Sequence, residues 1–348
     1  MKVTGLDREF IVVGENVHCT RILLRKGKRI GTDPDGHESV LYPGPNGETC
    51  YLRIPEATQQ STDFQEGRVK HVQVAVRAAM STQSPDREIA LDYLNHVIQR
   101  QVKAGADFLD LNVDEISFKH DQQQEAMRWL VGTVQGLTDT PLSIDSSLFE
   151  TIQAGLGAYK ANGTRPLLNS ASLERKAALD LAVEHNAKVI VTGAGESGMP
   201  ENDEQRVSNA SRMIDIALEK GIELGDIQVD LLVFPISVNS SFGMHYLDAV
   251  RKIREKYGPD IHITGGMSNV SFGLPVRRLV NDVFVNLAID SGADAGIIDP
   301  VARNIGAIIA MDRQSHPYQL ARQMLLGADR NCKTFLRAYR KGELQDSS

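Results

Sequence analysis

The chain has 348 residues, three cysteines and a formal net charge of −7 at pH 7. Cys19, Cys50 and Cys332 have no CxxC spacing and no close His partner, which supports neither a disulfide framework nor a zinc cluster and fits a reduced, cytoplasmic setting. The densest basic run, Arg21–Arg29, is too short for a nucleic-acid footprint, no apolar run approaches the roughly 18 residues that span a membrane, and MKVTGLDREF lacks a signal-peptide core, so a soluble protein without nucleic-acid or membrane partners is expected.

The first strand-like run is FIVVGEN, Phe10–Asn16. Between Cys19 and Arg68 the turn signals DPDG and PGPNG flank the strand-like SVLY and CYLRI, which predicts one or two β-hairpins inserted after the first strand, over residues 19–68. The helical period then appears over Glu88–Ala104, and a second apolar run follows at Phe108–Asp114. Further runs occupy Pro141–Ser147, Pro166–Ser172, Lys188–Gly195, Ile227–Pro235, His262–Asn269 and Ala295–Pro300, with helical segments at Glu174–His185, Asp203–Lys220 and Tyr246–Tyr257 among them. Apolar runs bounded by turns and alternating with amphipathic helices predict parallel strands covered by helices. Eight such repeats predict an α/β fold, a closed (β/α)8 TIM barrel with a β-hairpin insertion after the first strand. An open doubly wound sheet would normally carry fewer strands and a Gly-rich phosphate loop after its first strand, and no such loop follows Phe10–Asn16. The whole chain, 1–348, is expected to form one domain with a polar tail over 340–348.

Barrel enzymes keep their chemistry where the strands end. The residues at those ends are Glu15, Asn16, Asp110, Asn112, Asp114, Asp145, Asn169, Asp230, Asn269 and Asp299, almost without Lys or Arg. No metal-spaced His/Asp/Glu set accompanies them, which disfavours a phosphosugar isomerase or a metal-dependent hydrolase. Carboxylates and amides suit a heterocycle that shows N–H and amino donors beside a carbonyl, as a 2-amino-4-oxo pterin does. Hydrogen bonds to a charged group contribute about 1.5–3 kcal/mol each, so three or four hold such a ring firmly. The competing account of any single member is a helix cap or turn former, a role open also to Ser146, Ser147 and Ser170. The insertion leaves the first strand at this same face, as a lid, a docking surface or a surface hairpin without a role in turnover.

The segments GGMSNVSFG (Gly265–Gly273), IDSS (Ile144–Ser147), DLNVDE (Asp110–Glu115), LLNSAS (Leu167–Ser172), VDLLVFP (Val229–Pro235) and GEN (Gly14–Asn16) together resemble the pterin-binding methyltransferases. That group includes methyltetrahydrofolate:corrinoid methyltransferase and the folate-binding domain of cobalamin-dependent methionine synthase. The resemblance implies a barrel that holds tetrahydrofolate or 5-methyltetrahydrofolate. It also implies methyl exchange with the cobalt of a corrinoid (cobalamin) carried by a separate corrinoid-binding protein. By motif, Asp145, Asn169 and Asp230 match the pterin-ring ligands, Asp110 and Asn112 line the same floor with Glu15, and Arg277 falls where the family has an Arg near the cofactor. Asn269 matches the Asn that hydrogen-bonds nitrogen-5, so Asn269, Asp230 and Asp145 are the implied catalytic residues. A methyl on a tertiary amine is a poor electrophile unless that nitrogen gains a proton or hydrogen bond as the bond breaks, which Asn269 would supply in the transition state.

The chain departs from the family at Val17-His18-Cys19, where Asn or Thr-Asn is common, and His18 is there expected to be a loop histidine satisfied locally. Asp260–Gly265 satisfies DxHxxG, but His262 enters the seventh strand with no βαβ domain to surround a corrinoid, so it is not expected to ligate cobalt. Two alternatives stay open: a dihydropteroate-synthase-like enzyme, which needs a basic pair absent from the seventh strand end, and a non-catalytic folate-binding subunit. The direction of methyl transfer is open as well. A homodimer is expected, through Asn281–Ser291 or Tyr318–Tyr339, and a second methyltransferase subunit is a further possible partner.

Overall fold

The computed structural model describes residues 9–344, so the end of the expected polar tail, from residue 345, lies outside the described residues. All eight expected strands form: β1 (Ile11–His18), β2 (Phe108–Asn112), β3 (Leu142–Asp145), β4 (Leu167–Ala171), β5 (Lys188–Thr192), β6 (Ile227–Asp230), β7 (His262–Thr264) and β8 (Ala295–Ile298). They make one sheet in the order β7-β6-β5-β4-β3-β2-β1-β8. Sequential neighbours pair in parallel, as in Val189 opposite Ile227 and Leu109 opposite Leu142. The ring closes between its last two strands, where Asp294 N donates to Ile263 O at 3.2 Å and Ile297 N to Gly265 O at 3.0 Å. The fold is the (β/α)8 barrel.

The runs read as strands because both faces are covered: every residue of Phe108–Asn112 and of Leu167–Ala171 is buried. The helices read as helices because one stripe is apolar. Arg87–Lys103 buries Ala90, Tyr93, Leu94, Val97 and Ile98 at three- and four-residue spacing. Asp203–Glu219 begins where Asn202 Oδ1 accepts from Gln205 N at 2.9 Å.

Contacts divide the chain into two compact units. One comprises the residues up to Gly14, Ala104–Phe108 and those from Leu167 on; it contains an apolar cluster of Val13, Phe108, Leu167, Ile190 and Ile297. Burying each such side chain contributes about 1.5–3 kcal/mol. The other comprises Glu15–Lys103 and Leu109–Pro166 and contains the insertion.

The insertion is richer than its turn signals implied. Ile30–Thr32, Glu38–Pro43 and Thr49–Arg53 form the expected antiparallel sheet. In its DPDG turn, Asp33 Oδ1 accepts from Asp35 N at 3.0 Å and from His37 N at 2.8 Å, and Gly36 takes a φ of 90° that a side chain would strain. A second ribbon, Ile22–Leu24 against Arg68–Lys70, returns the chain to the helix His71–Met80. Its strands have three residues each, too short to show a period in the sequence.

Candidate functional site

Side chains two apart on a strand share a face. Phe108 belongs to the apolar cluster, so Asp110 and Asn112 follow it on the same face of β2 toward its C-terminal end. In β4, Asn169 stands two residues after Leu167 in the same way.

At the ends of β1, β2 and β3 the expected polar residues meet. Asn112 Nδ2 donates to Asp145 Oδ2 at 2.8 Å, and Asn112 Oδ1 accepts from Asp114 N at 3.0 Å, which fixes which end of the amide faces which partner. His18 is the last residue of β1 rather than a loop histidine, and its Nε2 lies 2.8 Å from Asp110 Oδ2. The ligand atoms of His18, Asp110 and Asp145 all fall within 4.8 Å of one another. The direct contact has hydrogen-bond length, so His18 and Asp110 are a hydrogen-bonded pair with the Asp145 carboxyl beside them. Burial, then the Asp110 charge, pushes the Asp145 carboxyl up to about 7, against the opposing influence of His18 and Asn112. Burial works against protonation of His18, yet the bond to Asp110 and the charges of Asp110, Asp145 and Glu15 raise its pKa. Glu15 itself takes Arg21 Nη1 at 3.2 Å. Asn16 donates its backbone N–H to Gln101 Oε1 at 3.1 Å, while its own Oδ1 is buried without a hydrogen-bond partner.

The strand ends from β4 onward carry Asn169, Asp230 and, just beyond β7, Asn269. Asn169 is buried in β4. Asp230 ends β6, and burial pushes its carboxyl up to about 6, opposed by the Leu232 N–H that its Oδ1 accepts at 2.8 Å and by Arg206. Asn269 lies in a single 3-10 turn, Met267–Ser271, immediately after β7. A Cβ on Gly266 would come within 2.9 Å of the Asn269 amide nitrogen, so the glycine is what lets that side chain fold over the turn. Arg277 binds this turn from the next helix: Nε donates to Ser271 Oγ at 3.0 Å, Nη2 to Ser268 O at 3.1 Å, and the guanidinium covers the Phe272 ring at 4.5 Å.

Residues 85–299 match the family model of the pterin binding enzymes. The chain belongs to the pterin-binding enzyme family. Among its relatives, the methylcorrinoid:tetrahydrofolate methyltransferase of Eubacterium limosum is 32% identical over 250 residues, which cover 70% of this chain and 86% of that protein. The methionine synthase of Mycobacterium leprae (strain TN) is 29% identical over 287 residues, 77% of this chain and 22% of that much longer protein. A dihydropteroate synthase from Stenotrophomonas maltophilia has a similar fold, with a TM-score of 0.51 and 19% identity over 64% of this chain and 86% of that one.

Within this pterin-binding enzyme, two residues expected at the strand ends serve backbone turns. Asp114 accepts from the Ser146 hydroxyl and from Ser147 N at 2.8 Å, and Asp299 Oδ1 accepts from Val301 N and Ala302 N at 3.1 and 3.0 Å. His262, the residue of the DxHxxG match, pairs with Asp294 through Nδ1 at 3.0 Å.

Two features escaped the sequence. Arg206, fully buried on the helix Asp203–Glu219, donates Nε to Leu231 O at 3.0 Å and Nη1 to Asn202 O at 2.9 Å, and its Nη2 has no hydrogen-bond partner. It stacks over Phe234 at 4.7 Å and holds the backbone that follows Asp230. Burial lowers its pKa to about 10, against Asp203 and Asp230. Only its register on an amphipathic helix marked it, and that register reads as core. The second feature is a cavity of about 530 Å³ walled by Arg68, Lys70 and Arg77 from the insertion and its return, and by Asp114, Glu115 and Phe118 just beyond β2. Lys70 Nζ reaches Glu115 at 2.9 Å and Arg77 Nη2 donates to Ile116 O at 2.6 Å, so the return strand and the helix after the insertion brace the loop that follows Asn112. Among the described residues no helix is long and apolar enough to cross a membrane.

Proposed function

We propose that this pterin-binding enzyme is a methyltransferase that moves a methyl group between nitrogen-5 of tetrahydrofolate and the cobalt of a corrinoid held by a separate protein. The observation that carries the reading is the aligned Asn112–Asp145 pair at adjacent strand ends, inside the stretch that matches the family model. An amide and a half-buried carboxylate fit the alternating donors and acceptors along a pterin edge. The similarity to a relative named for this reaction supports the same conclusion. The single-domain reading is part of the proposal and draws support from the one sheet that contains all eight barrel strands.

When bound, the folate carries the methyl at nitrogen-5 and the corrinoid the cobalt that exchanges it. In this proposal Asp145, Asp230 and Asn169 bind the pterin ring, and Asp110, Asn112 and Glu15 are further cofactor-binding residues. The Asp230 Oδ1 is occupied by Leu232 N, which leaves Oδ2 to accept from the ring. Asn269 addresses nitrogen-5 and strengthens its hydrogen bond as charge develops there, an effect whose loss typically costs about 2.7–4 kcal/mol. Arg277 keeps the Asn269 turn in place through Ser268 and Ser271. A diphosphate leaving group, as a dihydropteroate-synthase-like reaction would require, calls for a cationic clamp, and the Gly265–Gly273 segment carries no Lys or Arg.

The test is calorimetry with 5-methyltetrahydrofolate on the wild type, Asp145→Ala and Asn269→Ala, followed by methylation of free cob(I)alamin by the same samples. The expected result is binding by the wild type, loss of binding in Asp145→Ala and loss mainly of transfer in Asn269→Ala. A wild type that binds no folate would overturn the reading. One that binds but transfers nothing to free or protein-held corrinoid would instead support a folate-binding subunit.

A further inference from the structure

The ends of β1 and β2 hold a pair that the pterin reading leaves without a task. His18 and Asp110 are joined at 2.8 Å with side chains 14% and 1% exposed, and Asp145 completes the group. We propose that His18 is a positioning residue for methyl transfer: as an imidazolium donating Nε2–H to Asp110, it places a positive charge beside the Asp110–Asp145 pair and so sets the charge that Asp145 presents to the pterin ring. This inference rests on the folate methyltransferase reading.

Two buried carboxylates within reach of each other cannot both ionise without a cation, because the solvent that would screen them is excluded. The groups that influence His18 are Asp110 from β2, Asp145 from β3 and Glu15 from its own strand, all acidic, and together with the hydrogen bond they outweigh the burial that opposes its charge. Asp114, the next carboxylate, is occupied by Ser146 and Ser147. Arg21 is drawn to Glu15 at 3.2 Å. His18, 2.8 Å from Asp110, is thus placed to carry a positive charge within this group, and that charge opposes the burial that raises the Asp145 carboxyl.

The overall reaction exchanges one proton at nitrogen-5, so its rate responds to the charge held around the ring. For each methyl that leaves nitrogen-5 for a cobalt(I) corrinoid, the carbon–nitrogen electron pair stays on nitrogen and one proton is taken up there, while the cobalt(I) pair makes the new bond to carbon. In the reverse direction the carbon–nitrogen bond forms, the pair returns to cobalt and the nitrogen releases its proton. His18 acts on this exchange through the charge around the bound ring and touches neither nitrogen-5 nor the methyl group.

The experiment begins with the ¹⁵N resonances of His18 in the full chain at pH 7. Two protonated ring nitrogens are expected, and a neutral imidazole would overturn the proposal without any variant being made. The pH profile of methyl transfer then compares the wild type with His18→Gln, which keeps an N–H donor toward Asp110 and removes the charge. Without the imidazolium the Asp145 carboxyl rises, so the profile midpoint should move to higher pH by about one unit. Calorimetric proton uptake on folate binding, measured in buffers of different ionisation enthalpy, should move in the same sense. An unmoved midpoint with folate still bound and transferred overturns the role of His18 and leaves the methyltransferase reading intact. A wild type that binds no folate overturns that reading, and with it this one.

Discussion

Asn112 and Asp145 stand opposite each other as the last residues of adjacent parallel strands, and the amide of one donates to the carboxylate of the other at 2.8 Å. Asn112 Oδ1 is bound to Asp114 N, so the donor end of the amide has no other orientation that satisfies both bonds. Asn112→Leu keeps the volume and removes the donor. We expect 5-methyltetrahydrofolate to bind it about tenfold or more weakly, the loss of one hydrogen bond to a charged group. Calorimetry at pH 7 checks this, and an unchanged Kd would show that Asp145 needs no alignment by Asn112.

The raised carboxyls of Asp145 and Asp230 make a statement about stability. Both titrate above the usual carboxylate range, at about 7 and about 6, so the folded chain binds these protons more tightly than the unfolded one. Stability contributed by these sites is therefore present at low pH and lost as pH rises from about 4 through about 7. Asp145→Asn and Asp230→Asn should each stabilise the ligand-free protein at pH 8, by on the order of 1–2 kcal/mol after solvent screening, and the gain should vanish near pH 4. Urea denaturation at the two pH values measures the difference.

Gly266→Ala places a methyl within 2.9 Å of the Asn269 amide nitrogen. The fold should survive, because Gly266 has a φ of −72° that alanine tolerates, while the amide is displaced. Transfer to cob(I)alamin should fall about 10²–10³-fold with folate binding largely retained. Equal losses in binding and transfer would place Asn269 in ring binding instead of at nitrogen-5.

Arg206→Met replaces a fully buried guanidinium by an apolar chain and deprives Leu231 O and Asn202 O of their donor. A loss of about 2–4 kcal/mol in unfolding free energy is expected. The Asp230 carboxyl, which Arg206 holds down, should titrate higher and bind folate less well at pH 7. The denaturation midpoint and the pH dependence of folate affinity test the two consequences separately.

Local signals carried much of this protein. Continuous apolar runs, helix-period segments and turn residues specified eight strands and the helices among them, because each signal lies within one element. The polar residue at each strand end was equally visible, since a strand's alternation ties Asp110 and Asn112 to the face of Phe108. The DPDG and PGPNG turns announced the inserted sheet, whereas its second ribbon was silent because three-residue strands show no period.

What the sequence could not reveal are relations between elements. That Asn112 faces Asp145, and that His18 meets Asp110 across 92 residues of chain, follows from strand register, which is set by pairing and closure of the whole sheet. For the same reason Asp114 and Asp299, indistinguishable by type from the other strand-end acids, were committed to neighbouring backbone N–H groups only once the loops had folded. Residue type and period determined which side chains reach the strand ends; tertiary burial decided how readily each carboxyl there ionises, because the pKa of an acid depends on the charges and solvent that the fold leaves around it.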